Sequence, residues 1–489
     1  MLPSSRSVKN AAANAGYWTA PSILAVILYW PGLVAWFQKD DFAWLKLLQI
    51  ARQSQGFRWA LFAPLAQGTI RTLSERAFFL SFFALFGMNP LPYRCWALLT
   101  FAAGLMLIAS LCTKLTGSRA AGFWAAVIWT VNSSMGVVMS WTSIYYEILC
   151  AVFLMASLWL LVRYAETGEV RFYAAQWITF LIGFGVLELN VVYPALAAAF
   201  ALCRARRILG KVWPMFLASA AYTAIHRAAV PFPAEGVYKL HWDSSIFSTL
   251  WTYWKWTLGP NRLIFLRIYP SHFRSILAIA LMAGLVGFLL WEAWRREWIT
   301  AFFASWYLIV LGPLLLLRDH MDDSYLTIPL VGFAMWGAWA FVCGWRAGAL
   351  SRGIAILLLA IYVAVSIPVA RVVTQSFYDR SRQIRSLVLG VVAETRGGKD
   401  KLILLKGVDS EMFWSALYHR PFPLYGIDEV YLLPENESEI VPPVPPRERE
   451  QFYADPARVR GALKEGRAIA LDVAGGEVRD ITASTLEIK

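Results

Sequence analysis

The chain of 489 residues is 58% hydrophobic, 15% aromatic and only 16% charged, with a mean hydropathy of +0.51. A soluble domain is usually about 45–50% apolar and about 25% charged, so this composition excludes a disordered, fibrous or disulfide-stapled chain and points away from a soluble enzyme, toward a polytopic membrane protein. The net charge of +13 does not mark a nucleic-acid binder: residues 375–489 carry 16 Lys and Arg against 18 Asp and Glu, which leaves the whole excess, about +15, on the apolar first 374 residues, where basic residues flank apolar runs as insertion topology requires.

A helix needs about 20 residues to cross the hydrocarbon core. The first apolar run, 17–37, follows Arg6 and Lys9. It is too long for a cleaved signal and lacks a small-residue cleavage site, so a retained helix is expected. Ten more runs follow, at 91–113, 119–137, 144–163, 172–187, 190–203, 212–230, 275–293, 299–317, 325–344 and 353–373. The short fifth and sixth meet at Glu188-Leu189-Asn190 and read as a hairpin. With a cytoplasmic N-terminus, the connections bearing Lys114 and Arg119, Arg163 and Arg171, Arg204 to Lys211, Arg295 and Arg296, and Arg346 and Arg352 all fall inside, as the positive-inside rule demands. Eleven crossings then put the C-terminal segment outside. Two outer loops are long: 38–90, with amphipathic stretches, and 231–274, rich in Trp and Tyr. In the last segment, 384–394 and 458–464 read as helices, and 402–405 and 468–473 as strands. Pro442, Pro443, Pro445 and Pro446 mark a stiff linker. The expected fold is thus an all-α polytopic membrane domain of about eleven spans over 1–374, followed by a small extracytoplasmic α/β domain over 375–489. The five cysteines lack metal-ligand spacing and read as small apolar packing groups.

This topology sorts the acids. Asp40, Asp41, Glu147, Glu188, Asp319, Asp322 and Asp323 fall at outer helix ends, and acids at a membrane boundary are functional candidates by default. The adjacent Asp40 and Asp41 lie just past the first run. Two neighbouring carboxylates repel, so one has a raised pKa or both are held ionised by hydrogen bonds or a cation; either state suits a general base acting on a hydroxyl. A helix-capping pair is the plainer reading. The turn Arg318-Asp319-His320-Met321-Asp322-Asp323-Ser324-Tyr325 offers Arg318 and His320 to a phosphate, or His320 and its carboxylates to a metal; a hydrated polar turn is the alternative. Glu188 at the hairpin and Glu147 one turn into the fourth span are further substrate-side candidates. Arg71 and Arg227, with Arg76 and Arg94, stand near the outer interface, where the arginine fork suits phosphate and snorkelling is the alternative.

An acidic pair just after the first span resembles the hallmark of the GT-C superfamily of membrane glycosyltransferases. Arg71-Thr72-Leu73-Ser74 with Phe86-Gly87-Met88-Asn89-Pro90-Leu91-Pro92-Tyr93-Arg94 is similar to an Arg-Pro-Leu-Ser … Phe-Gly-x-Asn-Pro block of the protein O-mannosyltransferase-like branch. Trp141 to Glu147, Leu187-Glu188 with Pro194, and Asp323-Ser324-Tyr325-Leu326-Thr327-Ile328-Pro329 resemble three further blocks in the same order. The resemblance covers about residues 17–345. It implies inverting transfer of a sugar from a polyprenyl-phosphate donor, within the membrane, to a glycan, lipid or protein acceptor hydroxyl on the outer side of a bacterial inner membrane. Asp40 or Asp41 would be the base and the other would orient the acceptor or a cation. A divalent cation is a candidate cofactor, with Asp40, Asp41 and His320 as its candidate ligands. Tyr145 and Ser324 stand where the branch usually has Arg, and Thr72 replaces Pro. Arg318, Arg227 or Arg71 would have to compensate. Two other classes compete. A transporter or lipid flippase is disfavoured because the acids gather at one rim and no internal repeat is seen; a non-catalytic scaffold is favoured only by the missing arginines.

Overall fold

The computed structural model describes residues 5–65, 68–231, 235–395, 401–433 and 440–487. Residues 66–67 and 232–234, within the two long loops expected from the sequence, and 434–439, within the C-terminal segment, lie outside the described residues. The chain divides into two compact units. One comprises the chain to Leu33, Leu61–Phe78 and Leu91–Gln375; the other comprises Val34–Ala60, Phe79–Pro90 and the chain from Ser376.

The first unit is helical. Its helices are α1 (Ser5–Leu33), α2 (Leu91–Thr116), α3 (Arg119–Val131), α4 (Tyr145–Thr167), α5 (Val170–Gly183), α6 (Tyr193–Arg204), α7 (Leu209–Ala229), α8 (Ser245–Leu258), α9 (Ser271–Trp294), α10 (Ile299–Leu311), α11 (Pro329–Arg346) and α12 (Ala349–Glu394). Each of the eleven apolar runs has become a helix; α8 is an addition within the second long loop. By length and composition, six helical segments among the described residues are suited to cross a membrane, built on α2, α4, α7, α9, α10 and α12. The chain is an integral membrane protein on that ground. Sharp connections follow from local chemistry. Gly117, at φ +69°, ends α2 in a conformation that favours glycine, and Ser118 caps α3 by accepting from the Ala121 amide at 3.3 Å. Small residues let helices close in. A Cβ at Gly332 of α11 would lie 2.6 Å from the Phe303 carbonyl of α10. Polar side chains that the bilayer cannot hydrate find partners instead: Tyr29 donates to the Thr130 carbonyl at 2.6 Å, and Asn132 donates to the Tyr362 hydroxyl at 2.8 Å.

One expected break is missing. The run at 353–373 and the helix at 384–394 are a single helix, α12, of 46 residues. No Gly or Pro stands between Thr374 and Ile384 to interrupt it. The division between the two units falls inside this helix, after Gln375.

In the second unit, strands β1 (Leu402–Lys406), β2 (Val430–Leu432), β3 (Ala468–Asp472) and β4 (Arg479–Asp480) form a sheet of order β2-β1-β3-β4. β1 runs parallel to both neighbours, with Leu404 opposite Tyr431 and Ala470, and β3 pairs antiparallel with β4. Helix α13 (Pro456–Lys464), capped by Asp455, packs Val459, Ala462 and Leu463 against Leu402, Leu404, Ala468 and Ala470. A parallel strand covered by a helix explains the unbroken apolar run of β1. β2 and β4, of three and two residues, are too short to leave an apolar signature in the sequence.

Candidate functional site

The segment after the first long loop is tied to the α5–α6 connection by its backbone. The Leu73 amide donates to the Gly185 carbonyl at 2.8 Å, and the Ser74 hydroxyl donates to the Val186 carbonyl at 2.5 Å. Within this segment, Thr72–Ala77 forms a wide-turned helical stretch of the kind that often accompanies functional sites. Across from it, Glu188 opens a tight turn, Glu188–Val192, before α6. Asn190 steadies that turn by donating to the Phe180 carbonyl at 2.8 Å. Its amide occupies space next to Gly183 that any Cβ there would fill, at 2.6 Å.

These ties bring Arg71 against Glu188. Arg71 Nε donates to Glu188 Oε2 at 2.9 Å and Nη1 donates to Glu75 Oε1 at 2.6 Å, while the guanidinium lies over the Tyr146 ring, 3.9 Å from its centroid. Burial works against the Arg71 charge, but Glu188 and Glu75 outweigh it and hold the guanidinium protonated well beyond its usual range. Burial likewise pushes Glu188 up, and Arg71 reverses the effect, leaving its carboxyl below the usual range. Glu75 goes the other way, because burial dominates and Arg71 is shared with Glu188.

Glu147, in the first turn of α4, is buried and has Arg71, Asp322 and Glu188 as its charged neighbours. Its Oε2 and the Glu188 Oε1 are buried carboxylate oxygens without a hydrogen-bond donor among the described residues. Tyr325 shares these surroundings with Tyr146, Glu147 and Asp322. Arg227 is half-buried near Glu188 and donates weakly to the Val230 carbonyl at 3.5 Å. Of the residues singled out in the sequence, Arg71, Glu188, Glu147, Asp322, Tyr325 and Arg227 therefore share one neighbourhood.

The rest of the 318–325 turn is occupied with its own shape. Asp322 accepts from the Ser324 amide at 2.8 Å and from the Ser324 hydroxyl at 2.5 Å. Asp323 receives both Nη groups of the buried Arg262, which lies over the Trp256 ring at 4.5 Å. Arg318 is exposed and pairs with Asp243 at 3.3 Å and Asp319 at 3.4 Å, and Asp319 also meets His241 at 2.7 Å. The His320 ring sits against Tyr238 at 4.3 Å and Tyr325 at 6.0 Å. Burial lowers its pKa, only partly offset by Asp322, so the ring is neutral at pH 7.

Asp40 and Asp41 belong to the second unit. Lys39, at φ +54°, turns the chain sharply, and the short helix Asp41–Leu45 follows. Asp41 is fully buried, and its Oδ2 accepts from the Gln38 amide at 3.1 Å. Asp40 is half-buried, and its carbonyl accepts from the Ala43 and Trp44 amides.

Among the described residues, no group of three or more His, Cys, Asp or Glu side chains is placed to hold a metal ion. Asp41 Oδ2 is engaged by its own turn, and the His320 ring packs against Tyr238 and Tyr325.

Glu75 and Arg262 were not singled out in the sequence. Glu75 carried a signal, its spacing of four residues from Arg71. Arg262 carried none, since its partner Asp323 lies 61 residues away.

No family model and no curated protein sequence matches the chain. Solved structures do. The oligosaccharyltransferase of Archaeoglobus fulgidus in its apo form is 11% identical, with a TM-score of 0.51 over 94% of this chain and 69% of that one. The same enzyme in complex with Zn and sulfate has a TM-score of 0.50 at 11% identity, covering 85% of this chain but only 62% of that chain. ArnT of Cupriavidus metallidurans is 12% identical, with a TM-score of 0.48 over 94% of this chain and 93% of that one. At this identity the likeness to the oligosaccharyltransferase shows the fold, which is the GT-C fold that the order of motifs implied.

Proposed function

We propose that this protein is an inverting glycosyltransferase that moves a sugar from a polyprenyl-phosphate donor to an acceptor hydroxyl on the outer side of the membrane. The observation that carries the reading is the neighbourhood of the half-buried Arg71 and Glu188 and the buried Glu147, in a chain that shares 94% of its length with an oligosaccharyltransferase fold. One structure of that archaeal enzyme, AglB, holds an inhibitory peptide and a dolichol-phosphate. The chemistry of the neighbourhood suits such a donor. The orphan oxygens of Glu147 and Glu188 are acceptors for sugar hydroxyls, and an isolated buried carboxylate oxygen is costly until it gains a donor. Arg71 and Arg227 supply the positive charge for a phosphate that must leave as an anion. Asp322 and Tyr325 add polar edges. Asp323, through its pair with Arg262, keeps the 318–325 turn in shape, and Arg318 and His320 stand on that turn.

The base is Asp40 in this reading, with Asp41 ordering the turn, because Asp41 is fully buried and hydrogen-bonded within its own loop whereas Asp40 is half-buried. Asp40 takes the proton from the acceptor hydroxyl. The oxygen forms a bond to the anomeric carbon from the face opposite the phosphate. The bond from that carbon to the phosphate oxygen breaks, and its electron pair leaves with the polyprenyl phosphate, so the anomeric configuration inverts.

Purified protein with a panel of polyprenyl-phosphate sugars tests the proposal. Transfer from one of them is expected, and Asp40→Asn is expected to reduce it by about 10²–10⁴-fold, the usual contribution of a general base. Lack of transfer from every donor, or full activity in both Asp40→Asn and Asp41→Asn, overturns it.

A further inference from the structure

A second site stands at the other end of the helical unit. Between α9, α11 and α12 runs an open groove of about 540 Å³, a size typical of small-molecule sites. Its lining is largely apolar and includes Gly287 and Trp291 of α9, Phe341 and Cys343 of α11, and Ile354 and Leu358 of α12. The groove follows from loose packing on one side and tight packing on the other. Along α9, a highly apolar helix of 24 residues, only Leu281 and Glu292 are buried. On the facing wall, α11 and α12 are close enough that a Cβ at Gly344 would lie 2.9 Å from the Ala355 Cβ. At Gly287 the space stays open, with nothing within 4 Å of where a Cβ would stand.

Two cations stand beside residues that line the groove. Arg295 lies over the ring of Trp291, 4.7 Å from its centroid, and Arg346 reaches Ser118 at 3.4 Å. Both are charged neighbours of Cys343, which lines the groove. Glu292, an acid that also neighbours Cys343, is buried and accepts from Trp339 at 3.3 Å and Thr300 at 3.4 Å. An apolar channel with two arginines beside it is complementary to an amphiphile whose head is an anion and whose tail is a hydrocarbon chain.

These cations are far from the Arg71 neighbourhood. The segment Ile299–Leu316 separates Arg295 from the 318–325 turn, and its 18 residues rise roughly 27 Å at about 1.5 Å each, nearly the thickness of a bilayer core. A lipid headgroup at Arg295 and Arg346 is therefore in the opposite leaflet from the candidate active site. We propose that the groove binds one acyl chain of an anionic phospholipid, with its phosphate held between Arg295 and Arg346, as a structural lipid separate from the sugar donor. The inference stands whether or not the protein is a glycosyltransferase.

Native mass spectrometry of the full chain in neutral detergent tests it, with dioleoyl-phosphatidylglycerol, dioleoyl-phosphatidylcholine and undecaprenyl phosphate as probes. One phosphatidylglycerol per chain is expected, retained at concentrations at least tenfold below those needed for phosphatidylcholine. The double variant Arg295→Gln/Arg346→Gln is expected to erase that preference. A Cβ at Gly287 meets nothing within 4 Å, so with Gly287→Leu the protein should melt as before while phosphatidylglycerol retention falls at least fivefold; this variant decides alone if the double variant does not fold. Equal retention of the two phospholipids, retention unaffected by Gly287→Leu, or displacement of phosphatidylglycerol by equimolar undecaprenyl phosphate overturns the proposal.

Discussion

The two units bury charge in opposite ways. In the helical unit, the half-buried Arg71 pairs with the half-buried Glu188 and the buried Glu75, so opposite charges offset one another. In the second unit, Lys46 and His419 are neighbours of the same potential sign. Lys46 donates to the His419 carbonyl at 2.8 Å. Burial and then Arg420 pull the lysine pKa down to about 8, and burial, Lys46 and Lys39 pull the histidine down to about 4. One region pairs its charges; the other holds its protons less tightly. The first arrangement fails when a partner is removed, and the second when the pH changes.

The largest expected effect comes from breaking the pair. Arg71→Met leaves the buried Glu75 and the half-buried Glu188 without their cation; the loss of one partner of a fully buried pair costs about 3–5 kcal/mol, which is the upper bound here. The triple replacement Arg71→Met/Glu75→Gln/Glu188→Gln removes the charges together and should recover most of that loss, read as melting temperature in detergent. If the triple variant melts as low as the single one, charge balance is not what holds the segment at 71–76 to the α5–α6 turn.

Next in size is the pH response of the second unit. The folded His419 refuses a proton that the unfolded chain accepts below its ordinary pKa of 6.5. Its contribution is therefore fully present above pH 6.5 and is lost as the pH falls toward 4. A shift of this size corresponds to roughly 2–3 kcal/mol for a mostly enclosed group. Melting measured at pH 6.5 and 4.5 should show His419→Gln less acid-sensitive than the native chain by that amount. Equal acid sensitivity in both would place the proton elsewhere.

How far the sequence could disclose these regions depends on the range of the interactions involved. The helices were legible because a span is a local property of about 20 residues, and all eleven apolar runs became helices. The continuity of α12 was less so, since the polar stretch from Gln375 to Gln383 resembles a loop in hydropathy while containing no residue that stops a helix. In the candidate site, Glu147 and Glu188 stood out as acids at membrane ends, and Glu75 was readable from its spacing to Arg71. The partner of each was not. Arg71 meets Glu188 across 117 residues, and Arg262 meets Asp323 across 61, pairings that only the packing of helices creates. The cations beside the groove were visible as a topological signal at Arg295 and Arg346, but the space between the helices was not.

Arg318 provides the smallest effect and the sharpest control. Its side chain is 42% exposed, and its partners Asp243 and Asp319 are 50% and 48% exposed. Water solvates all three with or without the pair, and salt screens what attraction remains. Arg318→Gln should therefore change stability by less than about 0.5 kcal/mol, as surface substitutions usually do, against several for Arg71→Met. The two variants also separate two roles that the sequence alone could not. If the 318–325 turn only shapes the site, transfer by Arg318→Gln should stay within a few-fold of the native rate. A large loss of transfer with unchanged melting would instead put Arg318 on the donor phosphate, because an exposed arginine that contributes nothing to folding can affect the rate only by touching what is bound.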